Sequence, residues 1–286
     1  MTVDETLARR LIAEQFPELA DAPLRRLAEG WDNVVWLVGE RWAFRFPQRP
    51  MGAELIEREL RVLPLIAPAL PAPVPVPVFA GRPGVGYPWS FFGAPLIAGV
   101  EACDAALDDG ARVRLAPVLG RFLRALHDVP MIDGLPHDPT QRADMRHRAS
   151  LTREWIEQLD RRPAGLERLL EEAEGLPPAE GEVVAHGDLH IRHVMVDPDG
   201  ELTGVIDWGD VCRADPSIDL SLLWSFFGAE GRAAFLAEYG PVSEAQLLRA
   251  RALAVNLSVI LAVYGRDEGM SGVEREALQG LDRCLS

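Results

Sequence analysis

Two carboxylates set nineteen residues apart are the side chains of this chain best suited to chemistry: Asp188, in His186-Gly187-Asp188-Leu189-His190-Ile191-Arg192-His193, and Asp207, in Ile206-Asp207-Trp208-Gly209-Asp210. Phosphoryl transfer uses such a pair. Nucleotide phosphates need a divalent metal to neutralise their charge, one carboxylate must hold that metal, and a second must orient the attacking hydroxyl and accept its proton. Asp207 suits the first task and Asp188 the second. Either motif alone reads equally well as a polar turn at a strand end, whereas both together point to a kinase using ATP or GTP.

The elements that would position them are also legible. Val194-Met195-Val196 and Leu202-Thr203-Gly204-Val205-Ile206 are short β-rich runs joined by Asp197-Pro198-Asp199-Gly200, a tight-reversal composition. In the resulting hairpin, the residue entering the first strand lies beside the one leaving the second. His193 and Asp207 are therefore predicted neighbours at one end of the ribbon, with Asp188 just upstream.

The order and spacing of these residues resemble the aminoglycoside phosphotransferase and choline kinase group, small-molecule relatives of the protein kinases. Its pattern is His-Gly-Asp, an Asn five residues after the Asp, then Ile-Asp-Trp/Phe-Gly. The resemblance implies Asp188 as catalytic residue, Asp207 as ligand of Mg²⁺, and ATP or GTP as co-substrate. His193 stands where the group has its metal-binding Asn. Imidazole is a softer ligand than an amide oxygen, so His193 is either a ligand that favours Mn²⁺ or a residue that holds the loop by hydrogen bonding. Asp210 reads as a substrate or metal contact, or as a solvated turn acid. Asp215-Pro216-Ser217-Ile218-Asp219 matches a segment of the group, and Asp215 with Pro216 also suits a helix start. His127 is read as a core or interlobe histidine.

The N-terminal region reads as a helix near 4–16 followed by strands at 24–28, 34–38 and 42–46. The Glu29-Gly30-Trp31-Asp32-Asn33 turn between the first two strands is a plain hairpin turn by its residues. By resemblance it lies over the nucleotide phosphates, with Gly30 and Asn33 as contacts. Alternation puts Arg45 on the face opposite Phe44 and Phe46, where the resemblance places the phosphate-binding cation. On a helix over 53–63, at ~100° per residue, Glu59 is the one charge that falls among Ile56, Leu60, Leu63, Leu55 and Val62. A buried carboxylate needs a cation, and Arg45 is the nominee. Two more strands, 76–79 and 89–92, complete a five-stranded antiparallel sheet.

The fold expected is α+β and bilobal, protein-kinase-like. Residues 1–93 form the nucleotide-binding lobe, 94–99 a hinge, and 100–286 a mainly helical lobe carrying the catalytic and acceptor site. By resemblance the hinge backbone holds the purine through Ala94 and Leu96. Helices are predicted at 111–127, 142–160, 163–173, 216–227, 229–239, 244–264 and 271–283.

The 286 residues, 48% hydrophobic, are enough for one large domain or two lobes. A net charge of −15 and a pI near 4.9 argue against nucleic acid and favour a cationic ligand, although solubility alone also explains such charge. All 29 basic residues are arginine, so phosphate must be met by guanidinium, a helix N-terminus or metal. Cys103, Cys212 and Cys284 are few and scattered, which suits a reducing cytoplasm. Met1-Thr2-Val3-Asp4-Glu5 has no secretory pattern, and the prolines between 62 and 81 break the longest uncharged run, so no membrane segment is expected. The partners expected are a nucleoside triphosphate and a small-molecule hydroxyl acceptor, an aminoglycoside first. The alternatives are a macrolide, choline, homoserine or sugar kinase, or a degenerate homologue that binds nucleotide without catalysis.

Overall fold

The computed structural model describes every residue except Trp31 and Val85. Trp31 of the first hairpin turn thus lies outside the described residues. The chain forms two compact units: Met1–Pro68 with Pro73–Ile97 and Asp207–Asp210, and Ala69–Ala72 with Ala98–Ile206 and Val211–Ser286. The Asp207 segment is a four-residue contribution of the second half of the chain to the first unit.

The first unit is built on the antiparallel strands β1 (Leu24–Glu29), β2 (Asn33–Val38), β3 (Trp42–Pro47), β4 (Phe79–Gly81) and β5 (Phe91–Pro95), in the order β1-β2-β3-β5-β4. Alternation along β3 buries Phe44 and Phe46 completely in a cluster with Trp36, Tyr87 and Phe91, closed by Leu11 and Ile12 of helix α1 (Glu5–Gln15). Each such burial stabilises by about 1.5–3 kcal/mol. Asp4 caps α1, its carboxylate accepting the Leu7 N–H at 2.8 Å. Helix α2 (Pro50–Ile66) packs Ile56 against Phe92 and Ala94. It is longer than the sequence suggests. Pro50 opens it at a position whose N–H would be unpaired anyway, and the helix continues through Pro64. Strands β4 and β5 begin two to three residues later than expected, at Phe79 and Phe91. Pro73, Pro75 and Pro77 have no N–H to donate, and Val78, just past them, donates to the Gly93 carbonyl at 2.9 Å.

The second unit is mainly helical: α3 (Asp109–His127), α4 (Met145–Ile156), α5 (Leu166–Glu174), α6 (Ser217–Phe226), α7 (Ala229–Tyr239), α8 (Glu244–Asp267) and α9 (Ser271–Leu285). Helix α8 is long and apolar enough, by length and composition, to cross a membrane, yet most of that apolar stretch is buried inside the protein. It packs against α4, α6 and α9 as a core helix. Short strands complete the unit. β6 (Val100–Glu101) joins the hairpin of β8 (Val194–Val196) and β9 (Leu202–Val205), and β7 (Val183–Ala185) pairs with β10 (Cys212–Ala214).

Candidate functional site

In the first unit Arg45 bridges two acids. Its Nη1 donates to Glu59 Oε2 at 2.9 Å and its Nη2 to Asp207 Oδ1 at 2.8 Å. The helix phase that put Glu59 on the buried face is the cause: its side chain is fully buried, and the cation that meets it comes from β3. Burial pushes the Glu59 carboxyl up from its ordinary 4.5 to about 7 against the pull of Arg45, with Asp207 and Asp210 adding to the rise. Its Oε1 has no hydrogen-bond partner among the described residues. Burial alone would lower the Arg45 pKa, but Glu59 and Asp207 raise it, so the guanidinium stays charged.

A stability prediction follows from Glu59. A raised carboxyl pKa means that between pH ~4.5 and ~7 the folded protein keeps a proton which the unfolded chain has lost, so this contribution declines as pH rises through that window. Relative to Glu59→Gln, wild type is expected to lose on the order of 2 kcal/mol between pH 5 and 7.5. Urea denaturation of both proteins at the two pH values measures the difference, and parallel behaviour would contradict it.

Asp207 adopts a left-handed backbone with φ 64°, a conformation costing about 1–2 kcal/mol for residues with a Cβ and best tolerated by Asn and Asp. The segment is clamped on α2. Arg58 Nη1 donates to the Gly209 carbonyl at 2.7 Å, and a Cβ on Gly209 would lie 3.0 Å from that of Leu55. Trp208 is fully buried and Asp210 half-buried. The Asp207 side chain is 47% exposed and so accessible to a ligand.

The β1–β2 turn is fixed from both sides. The Gly30 N–H donates to the Asn33 carbonyl at 2.9 Å, Gln48 donates to the Asp32 carbonyl at 2.8 Å, and Arg49 pairs with the Asp32 carboxylate. Gly52 permits the approach, since a Cβ there would come within 2.6 Å of the Asp32 carbonyl. Asn33 is buried, with its Oδ1 unpartnered among the described residues.

The expected hinge contacts need correction. Ala94 lies inside β5 opposite Ala43, and its side chain is buried. The Leu96 N–H donates to the Arg41 carbonyl at 2.7 Å. Antiparallel pairs alternate in the direction of their polar groups, so Ala94 and Leu96 both turn toward β3. The Pro95 carbonyl turns the other way.

In the second unit Asp188 follows β7 in a turn held from beneath by Asp219. Asp219 Oδ2 accepts the His186 N–H at 2.7 Å and Oδ1 accepts the Gly187 N–H at 3.0 Å, while Gly187 has φ 87°. His127 Nε2 lies 3.0 Å from Asp219 Oδ2, and its Nδ1 is 2.7 Å from the Tyr239 hydroxyl. Burial would raise the Asp219 pKa, but these bonds and charges hold it below the ordinary carboxylate value. Asp219 is thus the anchor of the His-Gly-Asp turn, and His127 is the core histidine that orients it.

Around Asp188 stand an arginine and two histidines. Arg142 Nη2 donates to Oδ1 at 2.8 Å, and His190 Nε2 and His193 Nδ1 lie 3.6 and 3.9 Å from Oδ2. Burial would raise this carboxyl, yet Arg142, His190 and His193 keep it well below the usual range. Asp188 is therefore an anion at working pH. His193 Nδ1 sits 2.7 Å from the Asp188 carbonyl, a distance at which it donates, so that in the neutral ring the lone pair is on Nε2. The ring stacks on His190 at 3.9 Å. Asp188, His190 and His193 offer ligand atoms within 4.8 Å of one another.

The hairpin register differs by one residue from that expected. Val194 opposes Val205, and the Ile206 N–H donates to the His193 carbonyl at 2.9 Å, so the partner of His193 is Ile206. A bulge between Met195 and Val196 absorbs the odd residue of the turn. Arg142 had no sequence signal tying it to the site; His190 and Asp219 stood in quoted motifs, but their contacts with Asp188 and with the His186-Gly187 turn were not legible there.

The chain matches the family described as phosphotransferase enzyme family over residues 23–253. Aminoglycoside 3'-phosphotransferase of Escherichia coli is 30% identical over 123 residues, 41% of this chain and 45% of that protein. The chain spans less than half the length of the curated relatives it matches. Among solved structures, the GDP complex of wild-type aminoglycoside 2'-phosphotransferase-IIIa superposes with a TM-score of 0.72 at 24% identity, covering 99% of this chain and 98% of that one. Macrolide 2'-phosphotransferase type I gives 0.63 at 23%, covering 97% of each. At such identities the structures speak for the fold, which is the bilobal α+β fold expected. The family match spans both aspartate motifs and most of the chain, and the protein belongs to the phosphotransferase enzyme family.

Proposed function

We propose that this phosphotransferase moves the γ-phosphoryl group of ATP or GTP to a hydroxyl of a small molecule, with an aminoglycoside as the first acceptor to test. The observation that carries the reading is the pair of motif carboxylates, each aimed by an arginine, Arg45 on Asp207 and Arg142 on Asp188, with Asp188 kept anionic. The net charge of −15 favours a polycationic acceptor by long-range attraction, and the Escherichia coli relative is named for aminoglycoside phosphorylation.

In this reading Asp188 accepts a hydrogen bond from the acceptor hydroxyl and orients its lone pair. A weakly basic carboxylate suffices, because the transition state is loose and the proton leaves late. Arg45, braced by Glu59, presents its guanidinium to phosphate oxygens. Asp207, an exposed oxygen donor, fits Mg²⁺, and His193 Nε2, beside Asp188, is the candidate ligand for the second metal position. The metal, when bound, supplies charge neutralisation for the phosphates. For the purine, the Pro95 carbonyl takes the place first given to Ala94 and Leu96.

A panel of aminoglycosides, macrolides, choline, homoserine and sugars, assayed with ATP and with GTP for acceptor-dependent release of diphosphate nucleotide, tests the function. Release with an aminoglycoside is expected; release only with another class would replace the acceptor, and none with any would reject the reading. His193→Asn tests the second ligand. The substitution is expected to lower the Mn²⁺/Mg²⁺ activity ratio by exchanging imidazole for an amide oxygen. An unchanged ratio would leave His193 only its bond to the Asp188 carbonyl.

A further inference from the structure

We infer that Arg142 is a positioning residue for the proposed transfer, holding Asp188 Oδ1 so that Oδ2 is the oxygen presented to the acceptor hydroxyl. This inference rests on the phosphotransferase reading of Asp188 given above. Its basis is the way the two side chains are mounted. Asp188 leaves β7, and β10 lies beside β7 with Cys212 opposite Ala185. The other side of β10 carries the loop that presents Arg142. His137 bridges to Arg213, the Arg213 N–H donates to the Pro136 carbonyl at 2.8 Å, and the Asp138 N–H donates to the Arg213 carbonyl at 3.0 Å. One two-stranded ribbon therefore carries both partners, which fixes their separation without any long lever.

The loop is built for this presentation at a cost in backbone energy. Asp138 and Gln141 have φ 29° and 53°, two of the four positive-φ non-glycine residues among those described, and such strain persists only where surrounding bonds enforce it. Here they do. The Asp138 carboxylate accepts the Arg142 and Ala143 N–H groups, both at 2.8 Å, and Arg148 donates to the Gln141 carbonyl at 3.2 Å and to the Thr140 carbonyl. Arg142 Nη1 donates to Thr140 Oγ1 at 2.6 Å, which sets the plane of the guanidinium while Nη2 reaches Asp188. With only 13% of its side chain exposed, Arg142 is not a solvated surface charge.

A carboxylate held by one oxygen loses its freedom to rotate, and phosphoryl transfer depends on a nucleophile aligned in line with the phosphorus. Arg142→Ala should therefore lower kcat with the acceptor found by the panel by ~100-fold while leaving acceptor KM and nucleotide Kd within about threefold. Guanidinium ion added at millimolar concentration should restore part of kcat, which a purely structural lesion would not allow. A kcat within about threefold of wild type, or a loss that guanidinium leaves untouched, overturns the inference. Should the alanine variant fail to fold, Arg142→Lys keeps the charge without the fork and is expected to lose ~10-fold; unchanged turnover would then overturn it. If wild type turns over no acceptor, the functional reading fails on its own. The geometric claim is then tested by thermal unfolding of R142A, D188N and the double variant. Arg142→Ala should shift Tm less in the D188N background than in wild type, and additive shifts overturn the pairing.

Discussion

Asp188→Asn is expected to bind nucleotide as wild type does and to lose turnover by about 10³-fold, within the range set by a missing general base. The substitution keeps the shape and lets the amide oxygen still face Arg142, while removing the charge that draws the acceptor hydroxyl. Asp219, His127 and the β7–β10 ribbon hold the turn independently of the Asp188 charge. A folded variant with intact nucleotide binding is thus expected. Isothermal titration with a non-hydrolysable nucleotide, beside an acceptor-dependent assay, separates the two effects. Near-native turnover would remove Asp188 from the chemistry.

Asp207→Ala is expected to weaken binding of the metal–nucleotide complex by on the order of 10- to 100-fold, or about 1.4 to 2.8 kcal/mol, with no loss, and some gain, of affinity when metal is omitted, because Arg45 Nη2 is then free of its carboxylate. The backbone must be controlled for, because alanine at φ 64° carries strain that an aspartate tolerates better. Asp207→Asn supplies the control. It tolerates the left-handed conformation and retains an oxygen ligand while losing the charge, so its affinity should fall between those of wild type and alanine. Calorimetry with and without Mg²⁺ gives the comparison. Equal affinity for the Mg²⁺ complex in all three proteins would reject the metal assignment.

What was legible in the sequence was what periodicity controls. The phase of α2 isolated Glu59 among apolar residues, and the alternation of β3 set Arg45 apart from Phe44 and Phe46; the ion pair followed from those two patterns. The long helices were readable for the same reason. Strands β7 and β10, three residues each, are too short to carry a period. Without them nothing in the sequence links Arg142 to Asp188, 46 positions later. The hairpin register differs by one because neither the pairing set by the turn nor the bulge within the ribbon leaves a compositional mark. The hinge contacts were misjudged because strand ends in proline-rich segments are set by which N–H groups exist to be paired, and Ala94 was already inside the ladder. Asp219 stood in a segment whose Asp215-Pro216 start explains it locally, and only the fold reveals that the Asp219 carboxylate caps another turn 32 residues upstream.

The shared grip of Arg45 on Glu59 and Asp207 has a thermodynamic corollary. One guanidinium faces two carboxylates, and any cation that takes up Asp207 would lessen the hold of that carboxylate on Arg45 and free its Nη2 for a phosphate oxygen. Metal and nucleotide would then be linked ligands, each raising the affinity of the other by the same factor, since coupling free energy between two binding events is reciprocal. The apo site would be held in a low-affinity state for phosphate by its own ion pair. Saturation by nucleotide would accordingly depend on how much free divalent cation the surroundings supply.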